Sequence, residues 1–151
     1  MQIKLRLATL ADADLLLAWR NDSETRQFSH HTHEISRSEH IAWLAKTLAN
    51  PERKLFIAEL AGKPVGTVRA DHQSNVWEIS WTIAPEARGQ GIGKEMVRTL
   101  ALQIQDPIRA EIKAGNVASI KIAEFAGLHF SHESQGTLHY IRSECKTVAA
   151  N

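Results

Sequence analysis

The sequence predicts a single domain built on a mixed α/β sheet. Seven segments alternate apolar and polar residues in the manner of strands, and four segments carry apolar residues at helical spacing. The two kinds interleave as β-α-α-β-β-β-α-β-α-β-β instead of forming separate blocks, which is the pattern of a layered sheet-and-helix domain. The third observation is size. A chain of 151 residues, 43% hydrophobic, with no repeat and no linker-like stretch, suits one core.

Taken in order, Ile3 to Ala8 (IKLRLA) alternates and reads as the first strand. Thr9 and Asp12 stand three apart in a Thr-x-x-Asp capping pattern, which predicts a helix running to about Trp19. The polar stretch NDSETRQFSHHTHEIS reads as a surface loop with room for a short helical turn. Ser36 and Glu39 form a second capping box, followed by an apolar stripe of Ile41, Leu44, Ala45 and Leu48, and Pro51 ends that helix. His40 falls opposite this stripe or at its edge. KLFIAEL, the turn AGKP and VGTVRAD read as a hairpin. Val76 to Ala84 is a further strand, with Trp77, Ile79, Trp81 and Ile83 on one face and Glu78, Ser80 and Thr82 on the other. Gly91 to about Gln105 reads as a helix with Ile92, Met96, Leu100 and Ile104 along its stripe. IRAEIK is a strand. A helix then runs from Asn116 as N-cap to a stop at Gly127. LHF and TLHYIRS are two short closing strands.

Charge excludes several function classes. Eighteen Lys and Arg are interspersed with 17 Asp and Glu, a formal net charge of +1, so nothing in the balance calls for nucleic acid as partner. No apolar run reaches the 18 residues of a membrane span, and the N-terminus lacks a signal-peptide layout, so a cytoplasmic protein is expected. Cys145 is the only cysteine, which rules out an internal disulfide and a cysteine metal cluster. His30, His31 and His33 match no helical ligand pair and no carboxylate completes a site, so no metal is expected; they read as a substrate-side or surface loop.

Arg88 to Lys94, RGQGIGK, lies between the Val76 strand and the Gly91 helix. A glycine turn at a helix N-terminus presents unpaired N–H groups and the positive end of the helix dipole, a setting for a phosphate. The alternative is that Gly91 and Gly93 only shape a tight turn. The P-loop spacing fails, because Arg88 stands where its first glycine belongs and Glu95 where its Ser or Thr belongs. The dinucleotide fingerprint fails as well, with Lys94 or Met96 in place of its third glycine.

Arg88-Gly89-Gln90-Gly91-Ile92-Gly93 does resemble the Arg/Gln-x-x-Gly-x-Gly/Ala signature of the GNAT superfamily of acetyl-CoA-dependent N-acetyltransferases. TIAPEA before it and NVASIKIAEFAGLHF after it are similar to that family's neighbouring segments, the second with two extra residues between Gly127 and Phe130. The resemblance spans nearly the whole chain. It implies a mostly antiparallel twisted central sheet flanked by about four helices, and acetyl-CoA as co-substrate. The backbone of Gly89, Gln90, Gly91, Ile92, Gly93 and Lys94, with Arg88 at the turn, would hold the coenzyme A pyrophosphate. Thr82, Ile83 and Ala84 would pair with the pantetheine arm, and a strand N–H would meet the thioester oxygen as it turns negative. Asn116 and Ser119 match positions that touch pantetheine, and Asn116 also suits a helix cap.

The resemblance further implies acetyl transfer to a primary amine, which must first lose a proton to a general base. Glu78 is the candidate, the alternative being a salt-bridged surface side chain; some family members carry the glutamate one residue earlier, where this chain has Trp77. The tyrosine that protonates the leaving thiolate in many members is replaced by Ala123, which leaves Tyr140, the only tyrosine, as the candidate acid or as a packed core ring. Trp19-Arg20-Asn21 and EHIAW resemble a subgroup acting on nucleotide-linked amino sugars, as in pseudaminic-acid pathways. Arg20, Asn21 and His31 are therefore candidates for binding the acceptor, Arg20 through a phosphate or carboxylate. The alternative for Arg20-Asn21 is a helix-end pair that fixes the loop. Two other functions stay open: acetylation of a protein N-terminus, as in the ribosomal-protein branch, and an acyl-CoA-binding module without catalysis, for which Ala123 speaks. Dimers are common in the family.

Overall fold

Seven strands join into one sheet of order β1-β2-β3-β4-β5-β7-β6. The computed structural model describes residues 1–145. The strands are β1 (Ile3–Leu7), β2 (Arg53–Leu60), β3 (Lys63–Gln73), β4 (Val76–Ile83), β5 (Ile108–Lys113), β6 (His129–Ser134) and β7 (Thr137–Arg142). Every neighbouring pair is antiparallel except β4 and β5. The helices are α1 (Ala13–Asn21), α2 (Ser23–Gln27), α3 (Arg37–Ala49), α4 (Ile92–Ala101) and α5 (Val117–Phe125).

The caps act as the sequence predicts. Ser36 Oγ accepts from Glu39 N at 3.3 Å and Asn116 Oδ1 accepts from Ser119 N at 3.2 Å. Thr9 N donates to Asp12 Oδ2 at 2.8 Å, and Arg6 forks onto the same carboxylate at 2.9 Å through both Nη atoms. The chain makes a 3₁₀ turn over Leu10–Asp12 before α1 begins at Ala13. Four elements differ from expectation. The 21–36 stretch contains a formed helix, α2, capped by Asp22 accepting from Thr25 N. The buried stripe of α3 is His40, Leu44 and Thr47, while Ala45 and Leu48 lie exposed, so His40 faces inward. Helix α4 stops at Ala101, four residues before Gln105. Strand β6 extends to Ser134 because it is an outer strand without a buried face, so its polar residues carry no alternation to read.

The two faces of the sheet are covered by different helices. Arg69 on β3 lies over the Trp43 ring of α3 at 5.6 Å, whereas a Cβ on Gly66 of the same strand would meet Met96 of α4 at 3.0 Å. Positions 66 and 69 alternate to opposite faces, so α3 and α4 lie on opposite sides. Helix α4 buries Ile92, Gly93, Met96, Val97, Leu100 and Ala101, and each fully buried large side chain contributes about 1.5–3 kcal/mol. Helix α2 buries no residue, so only polar contacts, about 0.5–1.5 kcal/mol each, hold it in place. No described helix is long and apolar enough to cross a membrane.

Candidate active site

Strands β4 and β5 pair only at Trp77–Ile108 and Glu78–Arg109, and beyond these pairs they diverge. The divergence opens a cleft of about 1190 Å³ whose walls include β4, β5 and the first turns of α4 and α5. Backbone direction along β4 follows from two hydrogen bonds. Trp77 N donates to Pro107 O on the β5 side, and Ala84 N donates to Val65 O on the β3 side, both at 2.9 Å. Successive residues of a strand turn their N–H and C=O to alternate sides, so Ile79, Trp81 and Ile83 turn theirs into the opening.

This parity sorts the expected pantetheine contacts. Ile83 fits. Thr82 pairs with Thr67 of β3 and reaches the cleft by its side chain. Ala84 does not fit, because it is fully buried, its N–H is spent on Val65 O, and its carbonyl accepts from Ala87 N. Trp81 was missed, although the alternation along VWEISWTIA already holds the signal that Trp81 and Ile83 share an orientation.

At the head of α4, the turn is made by Gly89 at φ +76° and Gly91 at φ +78°, a conformation that favours glycine. Gly91 caps the helix, and Glu95 N donates back to Gly91 O at 3.3 Å. The N–H groups of Gly89, Gln90, Gly91, Ile92, Gly93 and Lys94 donate to no acceptor among the described residues. Six consecutive donors at the positive end of a ten-residue helix make a setting suited to an anion. Lys94 lines the cleft with its ammonium 5.8 Å from the Phe125 ring centroid. Gly93 serves packing instead. A Cβ there would meet Ile122 and Ile83, so its lack of a side chain lets α4 pack onto α5 and β4.

Arg88 corrects an expectation. Its Nη2 donates to Asp22 Oδ2 and, at 3.0 Å, to Thr25 Oγ1, while Nη1 lies 3.0 Å from Glu24 Oε2. Both Nη atoms of the guanidinium thus engage α2 and its cap. It keeps the Asp22 carboxyl below the usual carboxylate range, against the opposing effect of burial.

Glu78 lines the cleft on the face of the sheet that carries α3, directly across from Asp71 of β3. Its Oε1 accepts from Arg109 Nη2 at 3.2 Å, and Oε2 has no partner among the described residues. Arg20 also lines the cleft. It touches Ser29 Oγ at 3.4 Å and His31 O at 3.3 Å and has no carboxylate partner among the described residues. Burial, followed by repulsion from Arg26, lowers its pKa. His31 presents its ring to the cleft and to His33, with ring centroids 5.9 Å apart. Asn116 and Ser119 line the α5 side, joined to each other by the cap bond.

Two further expectations fail. Asn21 is spent on the loop: its Oδ1 accepts from Ile35 N at 2.8 Å and its Nδ2 donates to Ile35 O at 2.9 Å. Tyr140 lies outside the cleft walls, 4% exposed on β7, edge-on to Phe130. Burial pushes its pKa up, and its place in the core, outside the cleft walls, sets it apart from the thioester site. Ala123 is fully buried. His40 joins the cleft lining, 4% exposed and stacked 5.7 Å from Trp43. Burial, ahead of the other influences on it, lowers its pKa. Among the described residues no group of three or more His, Cys, Asp or Glu could hold a metal ion.

The family model of the acetyltransferase (GNAT) domain matches residues 2–129. No curated protein matches the sequence. Among solved structures, aminoglycoside acetyltransferase AAC(6')-Ib in complex with ribostamycin and coenzyme A is similar with a TM-score of 0.83 at 20% identity, over 95% of this chain and 94% of that one. Ribosomal-protein-alanine N-acetyltransferase from Brucella melitensis has a TM-score of 0.76 at 22% identity, over 93% and 99%. Spermidine N-acetyltransferase from Vibrio cholerae, in complex with CoA and spermine, has a TM-score of 0.78 at 16% identity, over 93% of each chain. At these identities the likeness is one of fold.

Proposed function

The chain belongs to the GNAT family of acetyltransferases, and on that premise we propose that it transfers an acetyl group from acetyl-CoA directly to a primary amine of a small molecule, an amino sugar being the first class to test. The observation that carries the donor half is the run of six unpartnered N–H groups from Gly89 to Lys94 beside the opening between β4 and β5. The pyrophosphate binds at that turn, and the pantetheine arm adds to the free edge of β4 at Trp81 and Ile83. A free N–H of that edge, from Ile79 or Trp81, meets the thioester oxygen as the tetrahedral intermediate forms. Asn116 and Ser119 flank the arm.

Glu78 takes the proton from the ammonium, directly or through water, and frees the nitrogen lone pair for attack. Its carboxylate faces the cleft with one oxygen free. As the tetrahedral intermediate collapses, the C–S bond breaks and the attacking nitrogen gives its second proton to water; with Ala123 in the family's tyrosine position and Tyr140 in the core, the leaving thiolate takes its proton back from water. Arg20, a cleft guanidinium without a carboxylate partner, binds an anionic group of the acceptor, with His31 beside it.

A thiol-release assay with acetyl-CoA and a panel of amino sugars, polyamines and N-terminal peptides tests this reading. Turnover with a small amine is expected; turnover confined to peptides would move the enzyme to protein N-termini. Gly91→Trp is expected to abolish acetyl-CoA binding, and intact binding would sink the donor site.

A further inference from the structure

Helix α2 and its flanks cross the mouth of the cleft and are tied to both walls. On the α4 side the tie is Arg88, which holds Asp22, Glu24 and Thr25 at once. On the β5 side Lys113 Nζ donates to Gln27 O at 3.2 Å, and His30 Nε2 lies 3.6 Å from Glu111 Oε2. The element is five residues long and buries none of them. A five-residue helix is too short to hold its place by propensity, so its position depends on polar ties, these among them and also the bonds of Arg20, Asn21 and Arg26 within the segment.

Arg88 immediately precedes the six free N–H donors of the turn. The carboxylates it holds, on Asp22 and Glu24, therefore stand next to the place where the donor's phosphates bind. Like charges at such a site repel unless a cation lies between them.

We propose that Arg88 is a positioning residue and not a phosphate ligand: it latches the α2 strap, which walls the acceptor side of the cleft, to the donor turn, and screens Asp22 and Glu24 from the bound pyrophosphate. On the α4 side this side chain joins the acceptor strap to the donor turn. The inference rests on acetyl-CoA binding at the turn, but not on the identity of the acceptor.

Two measurements with acetyl-CoA as the only ligand test it. In the first, hydrogen exchange of residues 22–36 reads the latch. Arg88→Gln, and Asp22→Asn, which keeps the cap oxygen while removing the charge, are each expected to speed exchange there by about tenfold or more, while core strands stay protected. Unchanged exchange in both variants would overturn the latch. In the second, calorimetric titration reads the screen. Arg88→Gln is expected to weaken acetyl-CoA about tenfold, and the triple variant Arg88→Gln, Asp22→Asn, Glu24→Gln to bind within about threefold of the wild type, since removing the acids removes the repulsion. A triple variant as weak as the single one would make Arg88 a direct ligand and overturn the proposal. Failure of the wild-type protein itself to bind acetyl-CoA would instead count against the donor site.

Discussion

A Cβ placed on Gly93 would lie 2.5 Å from Ile122 Cδ1, and 2.9 Å from Ile83 Cδ1, so α4, α5 and β4 meet at a point where a methyl group would have to push the ends of two isoleucine side chains aside. The three glycines of the turn are thus not equivalent. Gly89 and Gly91 are needed for their positive φ and have open space where a Cβ would stand, while Gly93 is needed for close approach.

Gly93→Ala is therefore expected to lower stability by about 1–3 kcal/mol through overpacking. Gly91→Ala is expected to cost about 1–2 kcal/mol through left-handed strain alone. Urea unfolding measures both. A Gly93→Ala protein as stable as the wild type would mean that α4 backs away from Ile122 freely, contrary to the packing described.

Glu78→Gln keeps the shape of the side chain and removes the base. Turnover is expected to fall about 100-fold or more, with acetyl-CoA affinity unchanged by calorimetry, because Glu78 stands on the α3 face of β4 and away from the glycine turn. Turnover at the wild-type rate would eliminate Glu78 from the chemistry.

His40 predicts a pH dependence of stability. Its folded-state pKa lies below the ordinary 6.5, chiefly because burial disfavours the charged ring. The unfolded chain therefore binds the proton more readily than the folded one. The stability at stake is fully present above pH 6.5 and is lost as pH falls below it, toward the lowered folded pKa. Urea unfolding at pH 7.5 and 5.5 is expected to show a smaller acid loss in His40→Gln than in the wild type. Equal losses would mean that His40 titrates as an exposed imidazole does.

Tyr140→Phe is expected to leave kcat and its pH profile within about twofold of wild type, because the ring packs on Phe130 behind β5 and does not reach the cleft. A large fall in kcat would return Tyr140 to the role of acid.

What could be read in the sequence were the features that depend on local order. Caps at Ser36 and Asn116, the alternation of β4 and the glycine spacing all follow from near neighbours in the chain, and the structure reproduces them. What could not be read depends on distant partners. Arg88 and Asp22 are 66 residues apart, so nothing in RGQGIGK tells that its arginine is already bound. Asn21 suits substrate and loop equally in the sequence, and only its two hydrogen bonds with the Ile35 backbone decide for the loop. His40 sits among polar residues at the start of α3, and only the folded helix shows that it heads the buried stripe with Leu44 and Thr47. Ala84 continued the apolar run of β4, but the chain turns there into a 3₁₀ segment, Pro85–Ala87, which takes its carbonyl.

The most direct test of the central claim, that the turn from Gly89 to Lys94 binds the donor's pyrophosphate, is a pair of calorimetric titrations on the wild-type protein: acetyl-CoA, and S-acetylpantetheine, which carries the same thioester and arm without the phosphates. Charge-assisted hydrogen bonds to several N–H groups contribute about 1.5–3 kcal/mol each at most, so acetyl-CoA is expected to bind about 100-fold tighter or more, with the difference shrinking as salt is raised. Equal affinity for the two ligands would contradict the account, because the six free donors at the head of α4 would then hold nothing.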